Sequence, residues 1–186
     1  MGKSQRIRLR DIREIDRLVH ECLEFWADPD EWRMHLVRGV TQLTNVQLSS
    51  CEHRALSPRD PQGKVVGRAS YGWPDERTRN SFLEALDGEP GSDGMPNFEI
   101  GVQWLVENNA ATMWRGDVVD EPEWHQSRFY QGVFEPAGLI DGMVSIRWDP
   151  RPGHFMMVSL NRLRRDPLFQ ARQRKFLRLA HHAITP

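Results

Sequence analysis

The chain has 186 residues, 39% hydrophobic and 27% charged, with 14 Gly, 12 Pro and a formal net charge of −1. That is enough to bury one core and too little for two domains of ordinary size. Seven Trp and eight Phe exclude a disordered chain, and no apolar run reaches the length of a membrane span.

The neutrality is an average. Residues 1–146 carry 16 basic and 24 acidic side chains, a net of −8, while 147–186 carry 9 and 2, a net of +7. Such asymmetry points to a partner or a neighbouring module, or to a solvated helix face. Cys22 and Cys51 cannot make a zinc site by themselves, and they suit a reduced compartment. No apolar leader follows the first residues, so a cytoplasmic protein is expected.

Residues 11–26 place Ile12, Ile15, Leu18, Val19, Cys22, Leu23, Phe25 and Trp26 at helical spacings. Asp28 is a suitable cap for a second helix over about 29–44, with Pro29 at its first position and Glu31 three residues after the cap. Alternation at Val46, Leu48 and Ser50 and the β-rich KVVGRASYGW predict two strands across the turn SPRDPQG. DERTRNSFLEALDG reads as a helix stopped by Gly88, and GEPGSDGMPN as a mobile loop.

FEIGVQWLVENN then predicts a helix and ATMWRGDVV a strand. EPEWHQSRFYQGVF predicts one amphipathic helix with Trp124, Phe129, Val133 and Phe134 inside. Residues 140–163 read as a hairpin, and the last helix is expected over about 167–184, capped by Asp166 with Pro167 first. The order α-α-β-β-α-α-β-α-β-β-α, with hairpins rather than βαβ units, predicts an α+β domain.

Catalytic motifs are absent: no phosphate loop, dinucleotide fingerprint, zinc-protease helix or Cys-x-x-Cys occurs. The stretch Gly67–Gly72 is one residue too long for a nucleophile elbow. His53, His125 and His154 have no ligand spacing, and His181 and His182 face different ways on a helix. No catalytic residue, metal ligand or cofactor is assigned, and an enzyme is disfavoured. Instead, Trp104, Trp114, Trp124, Phe129, Tyr130, Phe134 and Trp148 fall within one region. Most should be core. Trp104, Trp114 and Tyr130 carry a polar tip and are candidates for a pocket wall, with Asp117 or Arg128 orienting a polar ligand group.

These residues also carry a resemblance. Gly116, Asp117, Val118, Trp124, Ser127, Phe129, Tyr130, Phe134, Pro136, Gly138 and Asp141 come in an order similar to that of the N-terminal sensor region of bacterial LuxR-type helix-turn-helix regulators. Leu160, Arg162, Phe169, Arg174, Leu177, Leu179 and His181 continue it. The match spans about 114–183 well and 9–60 only by element order. It implies a GAF/PAS-like antiparallel sheet of about five strands flanked by helices, with the N- and C-terminal helices packed side by side.

The resemblance further implies a ligand-sensing or dimerising regulatory domain, with a homodimer formed through helices 9–27 and 167–184. Residues 1–186 are expected to be a single sensor domain, excised from a longer protein, whose DNA-binding helix-turn-helix is not in this chain. DNA contact would come through that missing part, with a weaker, sequence-independent contribution from arginines such as Arg172 and Arg178. No membrane partner is expected. The pocket residues of acyl-homoserine lactone receptors do not align here, so no ligand class is carried over. A purely structural dimerisation domain with a filled core is the alternative, and a small hydrolase or metalloenzyme a remoter one.

Overall fold

The computed structural model describes residues 6–57, 60–87 and 96–184, with the side chains of 60–62, 96–100 and 102 left aside. Six α-helices and five strands follow the expected order. They are α1 (Leu9–Glu24), α2 (Pro29–Thr44), β1 (Leu48–Ser57), β2 (Asp60–Tyr71), α3 (Glu76–Leu86), α4 (Pro96–Glu107), β3 (Thr112–Trp114), α5 (Glu121–Gln126), β4 (Leu139–Trp148), β5 (His154–Leu163) and α6 (Ala171–Ile184). A 3-10 turn, Arg115–Asp117, follows β3, and a π-helical turn, Tyr130–Phe134, follows α5. The loop expected at residues 88–97 lies largely outside the described residues.

The sheet is antiparallel throughout, in the order β2-β1-β5-β4-β3. The chain is therefore α+β with five strands, as its pattern of hairpins predicts. β1 and β5 are central and buried along nearly their whole length, which requires layers on both faces.

On one face lie α1, α2 and α6. Asp28 caps α2 as expected, its side chain accepting from the backbone N–H groups of Asp30 and Glu31 at 3.1 Å. Leu36, Val37 and Val40 of α2 meet Cys51, Val158 and Leu160 of the sheet and Leu177 of α6 in one core. The terminal helices do lie side by side. Ile15 of α1 packs with Phe176 and Ala180 of α6, and Arg172 donates to the Asp11 carboxylate. None of the described helices is long and apolar enough to cross a membrane.

On the other face lie α3, α4, α5 and the π turn. Here the helix expected over EPEWHQSRFYQGVF is broken. Ser127 is extended, and its hydroxyl donates to the Trp124 carbonyl while accepting the Tyr130 N–H. A serine that can cap locally competes with helix continuation.

Two other expectations are corrected. Asp166 does not cap α6; it accepts the Leu163 N–H at 3.1 Å, and the helix begins at Ala171 after Gln173 has taken the Gln170 N–H. Trp148 is not core but 59% exposed, because it ends β4 beyond the covering helices.

Candidate functional site

Alternation along the strands decides what faces α3–α5. Leu48, Ser50, Glu52 and Arg54 of β1 lie opposite Asn161, Ser159, Met157 and Phe155 of β5 in the ladder. Gly142, Val144 and Ile146 of β4 follow on the same face, opposite Asn161, Ser159 and Met157. Met113 of β3 pairs with Val144.

Between this face and the helices lies a cavity of about 120 Å³. Its floor includes Met113, Gly142, Val144, Ile146, Met157, Ser159 and Asn161, and Arg54 and Arg115 also line it. Its roof is Phe82 and Leu86 of α3, Gly101 and Leu105 of α4, Val118 and Val119, and the aromatic side chains of Trp124, Phe129 and Phe134. Trp124 is one residue of that roof. Its ring stands edge-on to Phe134 at 4.9 Å, and its indole N–H donates to the Ile140 carbonyl at 3.0 Å.

Two glycines set the spacing. A Cβ on Gly101 would meet the Met113 methyl at 2.5 Å, and one on Gly142 would meet the Phe134 ring at 2.9 Å. Any larger residue at either place would move a wall.

The charged groups at the cavity edge are compensated. Glu52 is fully buried and accepts from Arg54 at 2.8 Å and from Arg68 at 2.9 Å. Asp87 completes the square, taking Arg54 at 2.9 Å and both Arg68 nitrogens at 2.7 Å. Desolvation raises the Asp87 pKa, but the two arginines outweigh it and hold the carboxyl below its ordinary value.

Arg115 is likewise buried, 3.3 Å from Asp141 and 2.7 Å from Glu121, with its guanidinium 5.5 Å from the rings of both Trp114 and Trp124. Burial pushes the Asp141 carboxyl up, against hydrogen bonds from Trp114 and from the backbone N–H groups of Phe169 and Gly142.

Among the remaining polar groups, Ser159 shares a hydrogen bond of 2.6 Å with Ser50. Asn161 is 2% exposed, and its side-chain nitrogen has no hydrogen-bond partner among the described residues.

None of the five pocket candidates from the sequence is a lining residue of this cavity. Trp114 packs toward the α1–α2–α6 core, its ring beneath the Arg174 guanidinium at 5.1 Å. Asp117 accepts the Trp114 backbone N–H at 2.9 Å and pairs with Arg174, so these two candidates do meet. Tyr130 is buried against Trp124 and His125, Trp104 is half-buried on α4, and Arg128 is exposed.

The lining residues Arg54, Arg115, Gly142 and Asn161 were not singled out by the sequence. One signal did exist: in FMMVSLNRL, Met157, Ser159 and Asn161 share a face, which puts an amide among apolar neighbours.

Cys22 and Cys51 both lie in the core beneath α2, and burial pushes each thiol up to about 12, away from the reactive thiolate. No group of three His, Cys, Asp or Glu among the described residues could hold a metal ion.

No family model matches the chain, and no curated protein sequence does. Its structure is similar to the crystal structure of the VqsR LBD domain from Pseudomonas aeruginosa, at a TM-score of 0.56 and 13% identity, over 91% of this chain and 94% of that one. The two share a fold. The N-acylhomoserine lactone dependent LuxR family transcription factor CepR2 from Burkholderia cenocepacia matches at a TM-score of 0.49 and 11% identity, over 92% of this chain and 91% of that one. At that level it supports nothing beyond the first likeness.

Proposed function

We propose that this chain is a ligand-sensing regulatory domain of the LuxR type, GAF/PAS-like in plan and non-catalytic, that works as a homodimer. The observation that carries the reading is the apolar cavity between sheet and helices, in a fold shared with the VqsR LBD domain. An apolar chamber with a few convergent polar groups is the usual form of a small-molecule site.

A connection from cavity to terminal helix supports a regulatory use. Arg115 lines the cavity and pairs with Asp141, and Asp141 accepts the Phe169 N–H just ahead of α6. Trp114 donates to the same carboxylate and lies under Arg174 of α6. A ligand that binds one setting of this network more tightly shifts the population of α6 positions, and without such a difference it shifts nothing.

The terminal helices supply the dimer surface in this proposal. Leu9, Ile12, Leu23 and Trp26 of the α1 region are exposed, as is Leu179 of α6. This apolar stripe is covered by a second copy of the chain. The DNA-binding part of such a regulator, and a cytoplasmic location, belong to the same proposal. Trp104, Trp114, Asp117, Arg128 and Tyr130 remain candidates for ligand contact; of these, Trp114 is joined to the cavity through its hydrogen bond to Asp141, the partner of Arg115.

The test is a thermal-shift and native-mass screen of the chain against small apolar metabolites, with sedimentation to read its oligomeric state. A saturable stabilisation by one chemical class and a dimer support the reading. No stabilisation by any class, with a monomer at high concentration, refutes it.

A further inference from the structure

We propose that a second copy of the chain packs its α1 against α1 in antiparallel register, about a two-fold axis midway between Ile12 and Leu23. This rests on the dimeric part of the reading above and adds the arrangement of the pair.

The exposed stripe has the spacing of a helix–helix seam. Leu9, Ile12, Asp16, Val19 and Leu23 of α1, with Trp26 just past its end, recur at alternate steps of three and four. On the helical wheel they lie about a quarter-turn from Ile15, Leu18 and Cys22, which face the core. Leu9, Ile12, Leu23 and Trp26 are each more than half exposed. A helix with a second apolar face of this kind presents it to a partner.

The chemistry of the stripe is self-complementary, which selects a second copy as that partner. In a two-fold interface a contact of one residue with another is repeated in reverse. Run antiparallel, Ile12 of one copy meets Leu23 of the other and Leu9 meets Trp26, so apolar faces apolar at both ends of the seam. On the outer flank Arg13 comes opposite Glu24. Among the described residues neither of these has an ion-pair partner in its own chain, whereas Arg17 beside them is held by Glu14 and Glu21.

A parallel pair would set Asp16 directly against Asp16, like charges in an apolar seam. The antiparallel pair steps the two carboxylates apart and puts each near His20 of the other copy. One polar residue in such a seam costs some stability and fixes orientation. The last helix agrees with this placement. Asp11 beside Arg172 and Ile15 beside Phe176 make α1 and α6 parallel, so the axis falls close to the level of Leu179. Leu179 is the large apolar side chain that α6 exposes, and near the axis it approaches its own counterpart and closes the patch.

The experiment uses the 186-residue chain, with sedimentation to read the dimer constant and disulfide trapping to read orientation. Ile12→Cys and Leu23→Cys are made as separate chains; the native Cys22 and Cys51 are buried and do not compete. The expected result is a cross-linked dimer when the two variants are mixed and little from either alone. Arg13→Glu and Glu24→Arg should each weaken the dimer by about tenfold, since each reverses both copies of the pair, and together in one chain they should restore it. All four positions are exposed, so the variants keep the parent's fold.

Cross-linking of either cysteine variant with itself, or no restoration by the charge swap, overturns the antiparallel register and leaves the dimer standing. A parent chain that sediments as a monomer at high concentration overturns both the register and the dimer.

Discussion

Trp114 donates its indole N–H to both carboxylate oxygens of Asp141 at 2.8 Å, joining β3 to the start of β4 across 27 positions of sequence. The same carboxylate takes Arg115 and the backbone of Phe169, so one fully buried acid ties the cavity wall to the approach of α6. Removing its charge leaves the buried Arg115 guanidinium with Glu121 as its remaining carboxylate. Asp141→Asn is expected to cost about 1–3 kcal/mol in chemical denaturation, and Trp114→Phe about 1 kcal/mol. A double-mutant cycle on the pair should show coupling; strict additivity would mean that the two residues do not act together.

The two glycines of the cavity should respond differently to alanine. At Gly101 the new Cβ meets the flexible end of Met113, and alanine suits a helix better than glycine. Gly101→Ala should therefore lie within about 1 kcal/mol of the parent. At Gly142 it meets the Phe134 ring, held among Phe82, Trp124 and Phe129. Gly142→Ala should lose about 1–3 kcal/mol. Equal effects on the denaturation midpoint would mean that the roof over β4 is loosely packed.

Acid should weaken the domain in two stages. His181 is buried against Ser145, and desolvation, helped by the charges of Arg147 and His182, holds its pKa down to about 3. The unfolded chain takes up that proton near pH 6.5 and the folded one does not, so stability falls as pH drops from about 6.5 toward 3. Asp11 is the second group. Desolvation raises its pKa, yet the Arg8 backbone N–H and Arg172 together bring it below its ordinary value. Its contribution is present above the unfolded carboxyl pKa and is lost as pH falls through the folded one. Urea midpoints measured across this range should show His181→Asn flattening the upper stage and Asp11→Asn the lower. An unchanged profile in both would contradict the burial of His181 and the α1–α6 ion pair.

Packing of the terminal helices depends on a few apolar contacts. Phe176 is buried between α6 and Ile15 of α1, so Phe176→Ala should cost about 3–5 kcal/mol. If dimerisation uses this helix pair, sedimentation should show a weaker dimer at concentrations where the variant is still folded.

The element order was readable because each helix and strand carries its own periodicity, and Asp28 announces α2 through a cap three residues long. Local competition was harder to read. Ser127 breaks an amphipathic pattern with one hydroxyl, and Asp166 spends its carboxylate on Leu163 instead of capping a helix. The cavity was least legible. Arg54 meets Asp87 across 33 positions and Arg115 meets Asp141 across 26, and no spacing rule links such partners. Aromatic density led to the helices that roof the cavity, while the polar tips of Tyr130 and Trp114 singled out residues that do not line it, because a polar tip says nothing about which side of the sheet a ring takes.

If the space beneath Trp124 is a binding chamber, a side chain that fills it should abolish ligand binding. Val144 lies mid-strand on the cavity floor, so Val144→Phe fills the space without touching the ion pairs. Thermal unfolding of parent and variant should be followed with and without a saturating compound that stabilises the parent in the thermal-shift screen. The ligand should raise the melting temperature of the parent, and the plugged chain should melt no lower than the ligand-free parent and should not respond. An equal ligand-induced rise in both proteins would contradict binding in that space.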